Sequence, residues 1–399
     1  MLTCRIETSF KGLDGIREAW DDAVIRLGGT IYMSYDWART WWDFYGERNE
    51  LRLFLFRSRN EVVGIVPLYI ASLGVWPFKL KVARLVGANL PPKVFDPPLD
   101  PAWALEAMDK VVEHLLVTEQ CNLLSFGPVS EPHSSQAALV EACRRLQRWV
   151  RPAVFASADV HTIFRPSDSL DAYLKSLSRN ERKNNRRLYD LSLLAEAYDI
   201  REDVLQDPDQ AVIEFERFLV QHSEEWQSRR RPGHFYAWPR AAEFHRALVK
   251  VMAERGRTRF IRLVANGEVI AALYGYRIGT RFFAELPARK NGPQWERYSL
   301  GRTIIVRTLL ATAREGIRQI DAGLGHYDHK TRLGGEEGRA IRLHCIARRL
   351  PSRLRVAIWR GIHRVLFVLY QKLWYRRIRR HVSLLFRKPQ ARLWLRLDF

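Results

Sequence analysis

Two distant stretches of the chain carry the same alternation of apolar and polar positions. Residues 51–71, LRLFLFRSRNEVVGIVPLYIA, and residues 258–278, TRFIRLVANGEVIAALYGYRI, each predict two apolar strands around a polar turn. They align without gaps, Arg52 with Arg259, Leu53 with Phe260, Glu61 with Glu268 and Val62 with Val269. The turn is Arg59-Asn60 in the first copy and Asn266-Gly267 in the second, and Asn-Gly is a strong hairpin signal because both positions accept positive φ.

A second correspondence lies downstream. Residues 102–120 have helical spacing and lead into the apolar run CNLLSFG (121–127); residues 301–316 have it too and lead into IRQIDAG (317–323). Both runs close on glycine, Gly127 and Gly323. Hairpin, helix, strand and glycine recur in one order, which predicts a duplicated α/β unit. Trp37, Trp41 and Trp42 are assigned to core packing, because their spacing places Trp37 and Trp41 on one helix face.

The copies differ in front of the helix. There the second copy has Tyr298-Ser299-Leu300-Gly301-Arg302-Thr303, and the first has FDPPLDPAW. The first amides of a helix have no intrahelical acceptor, and its dipole makes that end electropositive. Ser299 and Thr303 add hydroxyls, Arg302 a charge, and Gly301 allows close approach, so a pyrophosphate fits this turn. The same residues also fit an ordinary cap, with Ser299 as N-cap and Gly301 relieving a tight turn. Proline has no amide hydrogen to offer an anion, so phosphate binding is expected in the second copy.

Composition narrows the classes. The 399 residues suit two domains, and 47% hydrophobic content excludes general disorder. Cys4, Cys121, Cys143 and Cys345 are far apart without CxxC spacing, which argues against a zinc site or disulfide scaffold and suits a reducing cytoplasm. The opening residues lack an apolar signal region, and the uncharged run from Val62 to Phe78 is interrupted by Gly64, Pro67, Gly74 and Pro77. A soluble protein, at most peripheral to a membrane, is expected. The net charge of +21 is concentrated at the end: from Arg348 onward, 15 Arg and Lys accompany one acid, Asp398. Mixed with Trp, Leu, Ile and Phe, this tail has the composition of an interfacial helix on anionic lipid. It also suits a basic helical extension packed on the preceding domain. No nucleic-acid-binding motif accompanies the charge.

The order of elements resembles the GNAT acyltransferase core. Residues 170–330 are similar to the acetyltransferase domain of CelD-like (cellulose or exopolysaccharide biosynthesis) proteins, through LKSLSRNERKNNRRL (174–188), EEW (224–226), GEVIAALYGYRIGTRFFAELPA (267–288), YSLGRTII (298–305) and DAGLGHYDHK (321–330). The tandem copies also resemble Fem-type peptidoglycan aminoacyltransferases, which look like two fused GNAT units. The resemblance implies an α/β fold of tandem GNAT-like domains, with mixed sheets flanked by helices and a basic helical tail. The expected boundaries are a degenerate domain at 1–160, an active one at 161–347 and the tail at 348–399.

The resemblance further implies a donor arm along the strand Arg281 to Leu286 and a pyrophosphate on residues 298–303. Acetyl-CoA or another acyl-CoA is the expected co-substrate, with no metal. The acceptor expected from the resemblance is an amino sugar, polysaccharide or cell-envelope precursor near the inner membrane surface. Aminoacyl-tRNA as donor, or a non-catalytic membrane-surface scaffold, are the alternatives.

Direct transfer needs a base and charge stabilisation. Glu285 on that strand, Asp321 at the end of the next, and His326 and Lys330 in GHYDHK are the candidate catalytic residues. His326 and His329 with Asp328 lack a further ligand for a metal site. Arg182, Lys183 and Arg186 at helical spacing, Trp226 (followed by Arg229, Arg230 and Arg231) and Tyr327 are candidates for gripping the acceptor. The same residues also suit a solvated helix face, a core tryptophan and a polar loop.

Overall fold

A computed structural model describes residues 1–88, 93–229 and 233–378; Arg230, Arg231 and the end of the tail, 379–399, lie outside the described residues. The chain divides into two compact units, one formed by residues 1–159 with the chain from Arg339 onward, the other by residues 160–338.

Both predicted hairpins form. In the first unit, β1 (Leu2–Glu7), β2 (Glu50–Ser58), β3 (Glu61–Leu73), β4 (Leu80–Leu85) and β5 (Leu123–Glu131) precede the second unit in sequence. The second unit contains the end of β6 (Val154–Phe164), from Val160 onward, with β7 (Ile200–Leu205), β8 (Thr258–Ala265), β9 (Glu268–Ile278), β10 (Arg281–Arg289) and β11 (Gln319–Leu324). The chain then returns to the first unit as β12 (Glu336–Ile346).

The strand order is β1-β2-β3-β4-β5-β12 in the first unit and β7-β8-β9-β10-β11-β6 in the second. Each sheet is antiparallel except for one parallel pair, β4 with β5 and β10 with β11. The orders match strand for strand, so the duplication extends beyond the aligned hairpins. The last strand of each sheet is the exception to local supply. β6 comes from the chain just after the first copy and pairs with β11, whereas β12 follows the second copy and pairs with β5.

Alternation along the strands sets the layers of the second unit. Phe260 and Tyr274 meet Phe215 and Phe218 of the helix Pro208–Ser228. Ile261, Leu273 and Phe282 join Ile304 and Leu309 of the helix Leu300–Arg314 in a separate core cluster. In the first unit, Trp37 and Trp41 are buried as predicted. The helix Leu350–Phe367, which begins the basic tail, packs on this unit through Val356 against Leu80, Val82, Leu123 and Ile346. Among the described residues no helix is long and apolar enough to cross a membrane.

A Cβ at Gly275 on β9 would collide with the Phe283 carbonyl oxygen of β10. That oxygen is backbone and cannot yield without disturbing the ladder. Gly275→Ala is therefore expected to cost about 2 kcal/mol. Gly256→Ala, in open space at φ +64°, is expected to cost about 1 kcal/mol. Urea unfolding midpoints of the two variants test this order.

Candidate active site

The site begins where two strands stop pairing. β10 and β11 are in register at Arg281–Gln319, Phe282–Ile320 and Phe283–Asp321, and the register ends there. Immediately beyond, the pairing of β10 with β9 shifts between Ala284 and Leu286, leaving Glu285 as a bulge. The strands part around a cavity of about 120 Å³ lined by Ala284 to Pro287 on one side and Ile320 and Ala322 on the other. Ile305 and Leu309 line it from the helix Leu300–Arg314, and His329 and Lys330 also reach it. Its lining is mostly apolar.

A second cavity, about 490 Å³, follows along the same strand and helix. Arg229, Arg289, Lys290, Ser299, Leu300 and Arg302 line it at the helix N-terminus. Ser299 is left-handed at φ +46° and its side chain makes no capping bond, so the simple-cap reading does not describe this turn. The amides of Arg302 and Thr303 donate to the Ser299 carbonyl. Among the described residues, those of Leu300 and Gly301 have no hydrogen-bond acceptor, as the helix start requires.

Buried Glu225, the middle residue of EEW, organises the cations. It accepts from the Arg289 amide at 3.2 Å and Nε at 3.1 Å, and pairs with Arg229 at 2.9 Å. Arg302 pairs with Glu181, which also accepts from the Tyr189 hydroxyl at 2.7 Å, and Lys290 pairs with Glu268. The place of Gly301 has a specific reason: a Cβ there would lie 2.5 Å from Arg289 Nη1. The glycine admits an arginine side chain; it is not in a positive-φ turn.

The other residues of the predicted phosphate turn divide. Tyr298 and Thr303 are buried, and the Thr303 hydroxyl donates to the Tyr298 carbonyl at 3.1 Å. Their side chains therefore face the core, as does that of Leu300, and Ser299, Gly301 and Arg302 form the open part. Arg289 and Lys290 were not picked out from sequence, and Glu225 entered only as part of EEW, without a role. Their signal was an adjacent pair of basic residues closing a strand just before the turn.

Of the candidate catalytic residues, Glu285 and Lys330 line the apolar cavity. The buried phenols of Tyr274 and Tyr276 are pushed well above their ordinary pKa by desolvation, with the Glu285 charge adding to the shift. The Tyr274 hydroxyl is 2.9 Å from His245 Nδ1, while that of Tyr276 has no hydrogen-bond partner among the described residues. Lys330 is buried, and its Nζ donates to the Ala322 carbonyl at 2.9 Å. His329 has a lowered pKa, first from desolvation and then from the charges of Lys330, Arg302 and Arg289. These effects favour the uncharged form of this imidazole on the cavity wall.

Asp321 is buried and does not line the cavity. Its Oδ2 lies 3.0 Å from Nε2 of His161 and its Oδ1 accepts from the Gly323 amide at 2.8 Å. Burial pushes this carboxyl up, but His161, the Gly323 amide and Arg281 together hold it below the usual carboxylate value. His326 is exposed and paired with Glu337 at 2.7 Å, which raises its pKa, and it lies outside the cavity lining. Tyr327 is exposed, with its ring centroid 5.0 Å from Lys330 Nζ. Arg186 pairs with Asp171 at 2.7 Å, whereas Arg182 and Lys183 have no ion pair among the described residues. Trp226 is half-buried against His222 and His234. Among the described residues no group of three or more His, Cys, Asp or Glu is placed to hold a metal ion.

The equivalent place in the first unit is filled by protein. The Phe95 amide donates to the Pro128 carbonyl at 2.8 Å, and Asp96 accepts from both the amide and hydroxyl of Ser130 at 2.7 Å. Phe95 packs on Trp37 and Tyr32. The proline-rich segment thus closes this end of β5 with side chains of its own.

Residues 175–331 match the family model of the acetyltransferase (GNAT) domain. Among solved structures, FemX superposes with a TM-score of 0.61 at 12% identity, covering 86% of this chain and 98% of that one. A conserved protein of unknown function from Bacteroides thetaiotaomicron gives 0.52 at 11% identity, over 86% and 99% of the two chains. L-PGS from Bacillus licheniformis gives 0.49 at 14%, over 90% and 97%. No curated protein sequence matches the chain. The fold is therefore a tandem GNAT-like α/β arrangement, and the protein is an acyltransferase.

Asp321 gives a test with a definite sign. Its folded pKa lies below the ordinary carboxylate value near 4, so its contribution is present above that pH and is lost as pH falls through the lower folded value. Asp321→Asn is expected to cost roughly 3 kcal/mol at neutral pH by leaving His161 without its carboxylate. In urea unfolding across a pH series, the gap from wild type should stay level above about pH 5 and close in stronger acid.

Proposed function

We propose that the second unit transfers an acyl group, acetyl foremost, from acyl-CoA to an amine or hydroxyl of an amino sugar, polysaccharide or cell-envelope precursor, as its resemblance to CelD-like proteins implies. The work is placed at the cytoplasmic face of the membrane. The observation that carries this reading is the succession of cavities: an apolar opening between parted strands leads to a cationic one at a helix N-terminus. An acyl-CoA has the matching succession, an acyl-pantetheine arm followed by phosphates.

The residues present fit such a donor. Arg229, Arg289, Lys290 and the amides of Leu300 and Gly301 would hold its phosphates, and the parted edge of β10 its arm. When bound, acyl-CoA supplies an activated thioester carbonyl. Glu285 is the proposed base, taking the proton from the acceptor nitrogen or oxygen directly or through a water. Neutral His329 on the same wall is the second group able to accept it. Lys330, fixed on the Ala322 carbonyl, positions the loop that carries His329. Arg182 and Lys183 suit a phosphorylated or nucleotide-linked acceptor.

These same unpaired cations favour a second reading, in which the donor is aminoacyl-tRNA and the product is extended peptidoglycan or lipid. Transfer that depends on charged tRNA and ignores acyl-CoA would select it.

Calorimetry with acetyl-CoA tests the first reading. Wild type is expected to bind, and Arg289→Ala to bind about tenfold more weakly through loss of a charge-assisted contact. Gly301→Ala, which displaces the Arg289 guanidinium, should weaken binding in the same direction. Glu285→Gln should leave affinity unchanged while lowering kcat by about a hundredfold or more. Absence of binding by the wild type would overturn the reading.

A further inference from the structure

The turn joining β3 to β4 presents its apolar side chains to solvent. Val75 is 77% exposed, Trp76 83% and Phe78 53%. Exposed apolar groups so concentrated mark an interaction surface. The helix Leu350–Phe367 is fastened to this turn: Arg355 Nε donates to the Pro77 carbonyl at 3.1 Å and Trp359 Nε1 to the Phe78 carbonyl at 2.9 Å.

The helix buries Ser352 and Val356 and exposes Leu354, Ile358, Ile362 and Val365. Spacings of four, four and three place those exposed residues on one stripe. At about 100° per residue, Arg355 falls between the packed positions and the stripe, so the turn adjoins the stripe's edge. Arg353 and Arg364 flank its other edge. They and Lys79 are exposed and have no ion pair among the described residues. No acid occurs from Leu350 to Ile378.

We propose that the Val75–Phe78 turn and the outer stripe of the Leu350–Phe367 helix form one docking surface of the first unit for an anionic lipid bilayer. The apolar side chains enter the headgroup boundary while Lys79, Arg353 and Arg364 meet lipid phosphates. Charge decides the occupant: a second copy of this surface would oppose cations to cations, whereas anionic lipid complements them. The tail's composition already suggested a membrane, but the turn, distant in sequence, supplies the exposed Trp76 and a second point of attachment. The inference concerns where the enzyme works and is independent of its donor.

The test is co-sedimentation of the full chain with phosphatidylcholine vesicles and with mixed phosphatidylcholine–phosphatidylglycerol vesicles. Wild type should partition onto the mixed vesicles far more than onto phosphatidylcholine. Trp76→Glu and Ile358→Glu should each lower that partitioning about tenfold or more. Arg353→Glu with Arg364→Glu should lower it and reduce its salt dependence. Each variant should keep the wild-type circular dichroism and whatever acetyl-CoA affinity the wild type has. Failure of the wild type to bind mixed vesicles, or unchanged partitioning of the variants, overturns the proposal. So does self-association that the same substitutions abolish in a protein that does not bind vesicles. Loss of the acetyl-CoA reading alone leaves it standing.

Discussion

A parallel strand pair that stops pairing after three residues leaves backbone donors and acceptors without their usual partners, and the second unit is organised around that break. Buried peptide groups must find hydrogen bonds somewhere, so the parting of β10 from β11 needs support from both sides. On β10 the bulge at Glu285 re-aims the strand. On β11, Asp321 is fixed by His161 and the Gly323 amide, and the pairing of β11 with β6 shifts just beyond it. Asp321 thus holds β11 at the point where its pairing with β10 ends, a role that does not require it to touch a substrate.

The first unit shows the other solution to the same problem. Its parallel pair is also short, Val82–Leu123 to Arg84–Ser125. There the chain between β4 and β5 supplies the missing partners itself, through Phe95 and Asp96. Duplication preserved the strand order and lost the vacancy. The prolines that make this segment a poor anion cradle also hold it extended, which suits a chain that must run along the end of a strand.

Patterned features were legible in sequence because they are local. The hairpins at 51–71 and 258–278, the helix before Gly316 and the strand reaching Asp321 all follow from spacing within about twenty residues. The cation cluster was not, because Glu225 and Arg289 are joined by folding and not by any period. The same distance hid His161 from Asp321. Gly301 was named for the close approach a ligand could make, but its neighbour is a guanidinium from β10, which no reading of the turn alone reveals. Thr303 could not be told from an open hydroxyl until the helix phase turned it toward the Tyr298 carbonyl.

The carboxylates around the cationic cavity resolve an apparent contradiction. Arg229, Arg289, Lys290 and Arg302 gathered at one helix end repel one another and the dipole behind them. Glu225, Glu181 and Glu268 offset that repulsion, which keeps the cations together before any ligand arrives. A guanidinium has five N–H donors and a carboxylate uses two of them at most in a bidentate pair. Pairing therefore fixes the direction of Arg289 without exhausting it, and Gly301 leaves the guanidinium room beside the first amides of the helix. A site built this way meets its ordering cost during folding, so the diphosphate of the proposed donor would meet donors already in place.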